Sequence, residues 1–221
     1  MPERNRVTPT GEIVAIPLRG AWTGNRGILH EGHEIVRAHA SDLWITCALE
    51  FRGRWREQWL PHRYTHLYFH DEAVSFAAGH RPCAECRRDA YRAYQQAWTV
   101  GTAAEVITAR SGPRATGNAG VPSQPSAKEL SATLHAERIV RGTHRRRLHE
   151  LSWSALPDGA FVLEDGQPML VLADAIVPWT HAGYGAHRPR PAAGTATVIT
   201  PPSTVAVLRA GYPVQIDATA G

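Results

Sequence analysis

The stretch AGHRPCAECRR, Ala78–Arg88, contains two of the three cysteines of a 221-residue chain, Cys83 and Cys86, with two residues between them. When a Cys-x-x-Cys knuckle leads into a helix, free backbone N–H groups lie beside its thiols, lower their pKa values and favour a bound metal such as zinc. A redox-active pair, which would be expected directly after a strand, and two buried cysteines without a ligand are the alternatives. Because a short helix and a glycine are predicted before the motif, the pattern favours zinc.

Short strands and helices are predicted on both sides of this knuckle. Residues 1 to about 70 contain short β-branched and aromatic runs separated by glycine, proline and charged residues, which predict a small antiparallel sheet. A short helix is predicted to end at Gly79, and a second helix follows the cysteines, with an apolar face from Ala90 to Trp98. The run AEVITA, residues 104–109, is predicted to form a strand.

The second half of the chain begins with a segment, residues 111–127, whose glycine, proline and small polar residues predict a flexible loop. Beyond it, AFVLEDGQPMLVL (160–172) predicts a hairpin that turns near Asp165 and Gly166, and PPSTVAVLRAGY (201–212) predicts a helix. The predicted fold class is therefore α+β, with a β-rich region at 1–110 that contains the knuckle, the loop at 111–127, and an α+β region at 128–221. The last region is expected to pack on the first, as one domain or as a subdomain.

The charge pattern indicates an anionic partner. The net charge is +4, and all but one of the 24 basic residues are arginine, whose planar guanidinium binds phosphate through two parallel hydrogen bonds. A GC-rich genome gives the same composition, but clustering near the knuckle favours a surface for nucleic acid, with DNA favoured over RNA. The clustered residues are Arg87, Arg88, Arg92, Arg145, Arg146 and Arg147. A glycine-rich run, RGAWTGNRGILH (19–30), predicts either a loop that contacts an anion or a base through Arg26, or a structural turn.

No run of residues approaches the roughly 20 apolar positions that a membrane helix needs, and the first residues, MPERNRVTPTGEIV, lack the apolar stretch of a signal peptide. The sequence therefore predicts a cytoplasmic protein with no membrane partner. In that compartment three cysteines are expected to be thiols or metal ligands, not a disulfide framework.

The segment YTHLYFHDEAVSFAAGHRPCAECRRD, residues 64–89, resembles the second half of the zinc-binding N-terminal domain of Ada-type DNA-repair proteins. There, a strand, a short helix ending in Ala-Ala-Gly and Arg-Pro-Cys-x-x-Cys-Arg follow in the same order. In that family four cysteines bind zinc and one accepts a methyl group from a DNA phosphotriester, so the resemblance implies that Cys83 and Cys86 are one pair of zinc ligands. The other pair, a Cys-x-x-x-Cys, is absent here, and upstream there is only Cys47 in the predicted strand LWITCALEF. The whole chain also resembles a bacterial family with this knuckle and a later Leu-His-Ala-Glu-Arg, which implies no activity.

That later motif, LHAER, supplies two further candidates, His135 and Glu137. Zinc deaminases of nucleobases combine a His-x-Glu with a Pro-Cys-x-x-Cys: the histidine and two thiolates hold zinc, and the glutamate transfers a proton. Both halves occur here, with the knuckle first instead of last. Residues two apart point in nearly opposite directions in a helix, so His135 and Glu137 can converge only on a strand or at a helix start. The alternative is that His135 is simply a zinc ligand and Glu137 pairs with an arginine.

Two functional hypotheses follow. The first is a zinc protein that binds nucleic acid, in DNA modification or repair, with zinc ligands drawn from Cys83, Cys86, His135 and Cys47. The second is a zinc hydrolase of a nucleobase or nucleoside, with Cys83, Cys86 and His135 on zinc and Glu137 as the catalytic residue. A structural or regulatory module without catalysis is a third interpretation.

Overall fold

A computed structural model describes residues 1–54, 57–110 and 124–221 of the chain, with the side chains of 104–110 left out. The described part has mixed α and β content, as the predicted α+β fold class requires. The strands of the first half are β1 Arg6–Val7, β2 Ile13–Val14, β3 Trp22–Asn25, β4 His30–Glu31, β5 Glu34–Ile35, β6 Ile45–Cys47, β7 Leu67–Phe69 and β8 Arg81–Pro82. Those of the second half are β9 His149–Ser152, β10 Phe161–Glu164, β11 Gln167–Leu172, β12 Ala175–Thr180, β13 Gly183–Tyr184, β14 Arg188–Pro189 and β15 Thr195–Val198. The helices are α1 Glu72–Ala77, α2 Arg88–Arg110, α3 Ala127–Arg138 and α4 Pro202–Arg209.

The first sheet has the strand order β2-β1-β7-β3-β6-β8, and β4 and β5 form a separate hairpin. Antiparallel pairing was expected throughout, but β1 pairs with β7, and β6 with β8, in parallel. Parallel neighbours need a crossover connection, and α1 lies in the segment that leads from β7 to β8. Because β8 is the last strand in this order, the knuckle that follows it lies at that edge of the sheet.

The second sheet is antiparallel, with the order β13-β12-β11-β10-β15-β9 and with β14 paired to β12. The predicted hairpin is confirmed: β10 and β11 pair with Glu164 opposite Gln167. Asp165 and Gly166 between them have φ angles of 50° and 78°. Positive φ at both central residues is the geometry that a two-residue hairpin with right-handed twist requires.

All three predicted helices are confirmed, and one predicted strand is wrong. Asp71 caps α1 by accepting a hydrogen bond from the Val74 N–H at 2.7 Å, and α4 begins at Pro202 as expected. The run 104–109 is not a strand, because α2 continues through it to Arg110. Its β-branched residues favour a strand weakly, whereas a helix already nucleated extends easily.

The core is built from residues of both halves of the chain. One cluster joins Tyr94 and Trp98 of α2 with residues of α3, α4 and the second sheet, and another packs Val74 of α1 against Phe161 of β10. At Gly101 of α2 an added Cβ would lie 2.5 Å from the Ala206 carbonyl oxygen, so the contact between α2 and α4 requires glycine. The predicted loop at 111–127 lies mostly outside the described residues, and α3 begins at its last residue. Within the described part of the chain, no helix is long and apolar enough to cross a membrane.

Candidate metal centre

The three cysteines of the chain lie together at the β8 edge of the first sheet. Cys47 ends β6, and Cys83 directly follows β8, which runs parallel to β6 with Thr46 opposite Pro82. The Cys83 N–H donates a hydrogen bond to the Thr46 carbonyl at 2.9 Å. Cys86 follows within the same turn, and the three sulfur atoms all lie within 4.8 Å of one another. The pairing of β6 with β8 thus brings a third thiol to the knuckle.

Backbone N–H groups of the knuckle point at its sulfur atoms. Those of Cys86 and Glu85 hydrogen-bond to the Cys83 sulfur, and that of Ala48 hydrogen-bonds to the Cys86 sulfur. Hydrogen bonds from the Cys47 and Cys86 thiols, followed by these N–H groups, hold the pKa of Cys83 well below its ordinary value. The hydrogen bonds of the Cys47 thiol with Cys83 and Cys86, followed by burial, raise the pKa of Cys47. Of the three thiols, that of Cys83 is the one whose pKa this arrangement lowers.

The donor set fits a soft or borderline metal ion. Three thiolates are typical ligands of zinc, copper(I) and iron–sulfur clusters, whereas calcium and magnesium prefer oxygen. Cys83 is buried, while Cys47 and Cys86 are partly exposed, so the cluster is accessible from the surface. The three cysteines can therefore bind a metal ion, and a tetrahedral zinc would take a fourth ligand.

The structure places His135 and Glu137 on different sides of α3. The ring of His135 lies 5.4 Å from that of His39, and its Nδ1 accepts a hydrogen bond from Arg138. The Glu137 carboxylate accepts hydrogen bonds from the backbone N–H and the hydroxyl of Ser203, at the start of α4. The metal-ligand group that the described residues form contains the three cysteines and not His135. The helix thus separates the two side chains that a deaminase-like site would bring together.

The predicted phosphate-binding arginines fall into two groups. The exposed ones are Arg88, Arg92 and Arg145. Arg87 instead forms an ion pair with Glu72 at 2.6 Å, with its side chain only 7% exposed, and its guanidinium lies 3.8 Å from the Trp22 ring centre. Arg146 donates hydrogen bonds to carbonyl groups at the end of α1, and Arg147 is half-buried. Arg87 therefore stabilises the fold beside the knuckle and is not part of an open surface.

A group of residues beside the metal centre was not recognised from the sequence: Phe51, Arg52 and Arg54. In the loop after β6, Arg54 forms an ion pair at 2.7 Å with Glu85, which lies between Cys83 and Cys86. The guanidinium groups of Arg52 and Arg54 lie 5.0 and 5.4 Å from the ring centre of Phe51. The available signal was the proximity of these residues to Cys47, which was among the candidate zinc ligands, although the pairing of β6 with β8 was not predicted.

Comparison with known protein families, with curated proteins and with solved structures finds no match to this chain.

Proposed function

We propose that this protein is a zinc protein that binds DNA, with Cys47, Cys83 and Cys86 as three of the zinc ligands. The observation that carries the proposal is the cluster itself, in which three sulfur atoms from two strands and a turn lie within 4.8 Å of one another. Three thiols this close to one another are arranged to bind one metal ion, and binding requires that they release their protons.

Support for zinc comes from the donor chemistry and from the knuckle. Thiolates that receive backbone N–H hydrogen bonds are pre-oriented ligands, and zinc in structural sites is bound by three or four such groups. The resemblance of residues 64–89 to the zinc domain of Ada-type DNA-repair proteins supports the same metal, and it supports DNA over RNA as the partner.

Support for nucleic acid comes from the residues around the cluster. Arg88 and Arg92 are exposed and lie four residues apart in the first turns of α2, so their side chains share one face of the helix directly beyond Cys86. The ring of Phe51 has Arg52 and Arg54 over it, and Arg54 also pairs with Glu85 of the knuckle. Arginine beside an aromatic ring is a typical combination for contacts with phosphates and unpaired bases.

The metal proposal is tested by the metal content and zinc affinity of the purified protein. We expect one zinc ion per chain, and Cys47→Ser or Cys83→Ser should weaken zinc binding by about 100-fold or more, since each variant removes a direct ligand. His135→Gln is the matched comparison and should retain the metal. Protein that binds no zinc, or that loses zinc through His135→Gln and keeps it in Cys47→Ser, would contradict the assignment of the ligands.

The nucleic-acid proposal is tested by fluorescence anisotropy with duplex DNA, single-stranded DNA and RNA of one sequence at several salt concentrations. We expect affinity for DNA to fall with salt, and Arg88→Glu combined with Arg92→Glu to weaken it and to reduce the salt slope by about 2. Arg188→Glu, an exposed arginine of β14, is the control. An equal loss per reversed charge in the control and the double variant would show that net charge alone is responsible, and the absence of salt-dependent binding would exclude the proposal.

A further inference from the structure

A cleft of about 700 Å³ is lined by the turn between β1 and β2, by the segment after β5 and by the segment after α3, and no cysteine is among the described residues that line it. Its volume lies in the range of sites for small organic ligands. Five arginines contribute to its lining, at the floor and at the rim: Arg4, Arg26, Arg37, Arg145 and Arg146. The charge of this lining sets the cleft apart from an ordinary surface depression.

The floor of the cleft contains guanidinium groups that the fold buries. Arg26 is 1% exposed, and its Nε donates to His80 Nε2 and its Nη1 to the Gly11 carbonyl. Its Nη2 is buried and has no hydrogen-bond partner, and neither has the Nε of Arg146. Buried donors without a partner are rare, because each one has lost its hydrogen bonds to water. Two such donors beside one cleft indicate positive charge in its lining that the fold does not fully satisfy.

A third guanidinium, that of Arg138, adds positive charge beside the cleft. Arg138 is fully buried, and Arg26 and Arg138 lie 4.1 and 3.9 Å from the ring centre of Trp44, which lines the cleft. Burial, and then the charge of its neighbours, lowers the pKa of Arg26 to about 9 and that of Arg138 to about 8. Guanidinium remains charged in proteins, so these shifts reflect first the burial of the charge and then the repulsion between neighbouring arginines.

The compensating charge is not supplied by the described residues. None of the ion pairs that the described side chains form includes Arg26, Arg138 or Arg146. Glu12 lines the cleft without pairing to these groups, and Asp42 offsets only part of the shift at Arg138. Positive charge that these two carboxylates leave largely unpaired favours the binding of an anion.

We propose that this cleft binds a nucleoside phosphate, with the phosphate against Arg26 and Arg146 and the nucleoside against the apolar wall. That wall is formed by Ile13, Ile35, Val36 and Ile139. A phosphate ion alone would fill a small part of the cleft, whereas a phosphate joined to a planar, mostly apolar base matches both its charge and its size. Arg145 is exposed at the rim, where it meets the ligand as it enters. The inference is independent of the zinc centre.

The experiment compares adenosine 5′-monophosphate, adenosine, inorganic phosphate and a 5′-phosphorylated oligonucleotide as ligands of the full chain, by calorimetry and by thermal unfolding. The mononucleotide should bind and raise the unfolding temperature, since a ligand of the native state stabilises it by mass action, and adenosine should not. Arg145→Glu and Arg26→Gln should each weaken binding about tenfold or more, because each removes a charged hydrogen-bond donor. The oligonucleotide distinguishes a free nucleotide from the end of a strand as the natural source of the phosphate.

The controls separate this site from the DNA surface proposed above. Arg92→Glu and Cys47→Ser should leave mononucleotide binding unchanged, and Arg188→Glu should do the same. Binding that resists both Arg145→Glu and Arg26→Gln would overturn the proposal, as would the absence of binding by any phosphate-bearing ligand. Equal affinities for inorganic phosphate and the mononucleotide would overturn the assignment of the nucleoside. Because Arg26 also supports the fold, Arg145→Glu at the rim remains decisive if Arg26→Gln fails to fold.

Discussion

Cys47 illustrates how strand pairing, and not spacing in the sequence, brings a candidate metal ligand to the knuckle. It lies far upstream of the Cys83–Cys86 knuckle, and the sequence offered it and His135 as alternatives. The parallel register that places Thr46 opposite Pro82 puts the residues after them, Cys47 and Cys83, side by side. A one-residue shift in that register would turn the Cys47 side chain to the opposite face of the sheet.

The buried His80, which lies among buried arginines, makes the stability of the fold depend on pH. It is fully buried, and burial, followed by the charges of Arg26, Arg138 and Arg146, holds its pKa well below the ordinary value. Below about pH 6.5 the unfolded chain therefore takes up a proton that native His80 does not, and the free energy of unfolding falls by up to about 1.4 kcal/mol per pH unit.

We expect His80→Gln to reduce this loss of stability between pH 7 and 5 (about one proton fewer taken up on unfolding) in urea unfolding followed by circular dichroism. The same substitution at the exposed His181 is the matched control. If both variants show the same pH dependence as the parent protein, His80 does not carry the effect.

At the level of secondary-structure elements, α3 decides what His135 and Glu137 can do. The sequence LHAERIV was compatible with a helix or a strand, and a capping box between Ser126 and Glu129 starts a helix that includes both residues. Glu137 then reaches α4, whose N-cap, Pro201, makes no side-chain hydrogen bond to the helix. A carboxylate at this place satisfies free N–H groups and interacts favourably with the helix dipole.

The capping role predicts that Glu137→Ala lowers the free energy of unfolding by about 1 to 2 kcal/mol, measured by chemical denaturation. The bound metal should be retained, because the carboxylate bonds to Ser203 and not to the thiol cluster. Glu150→Ala, which removes an exposed hydrogen bond to Thr197, is the control. Loss of metal without loss of stability would indicate that Glu137 acts at the metal centre.

At the level of the whole molecule, Glu72 connects the two halves of the chain. Its carboxylate pairs with Arg87 beside the knuckle and accepts hydrogen bonds from the Tyr212 hydroxyl and the Gln215 N–H. Gln215 in turn accepts a hydrogen bond from the Trp22 indole of β3. The metal centre, the first sheet and the C-terminal segment are therefore joined by one buried network, in which the loss of one member leaves others unpaired.

Removal of one charge from this network should be costly. With side chains only 7% and 2% exposed, Arg87 and Glu72 form a buried pair, and Arg87→Ala should lower the free energy of unfolding by about 3 to 5 kcal/mol. Arg88→Ala, at the exposed neighbouring position, should change it by less than about 0.5 kcal/mol. Unfolding should be measured at fixed zinc concentration with the metal content determined, and equal effects of the two substitutions would contradict the structural role of Arg87.

The sequence by itself determined the local features of this protein: the knuckle at Cys83 and Cys86, the hairpin turn at Asp165 and Gly166, and the helix that begins at Pro202. Each depends on residues within a few positions of one another, so short-range backbone preferences are sufficient to predict it. Only the tertiary structure decided that Cys47 joins the knuckle and that α2 continues where β-branched residues suggested a strand. It also decided that buried arginines converge on one cleft. These outcomes depend on strand register and on packing between segments distant in sequence, and no local pattern encodes them.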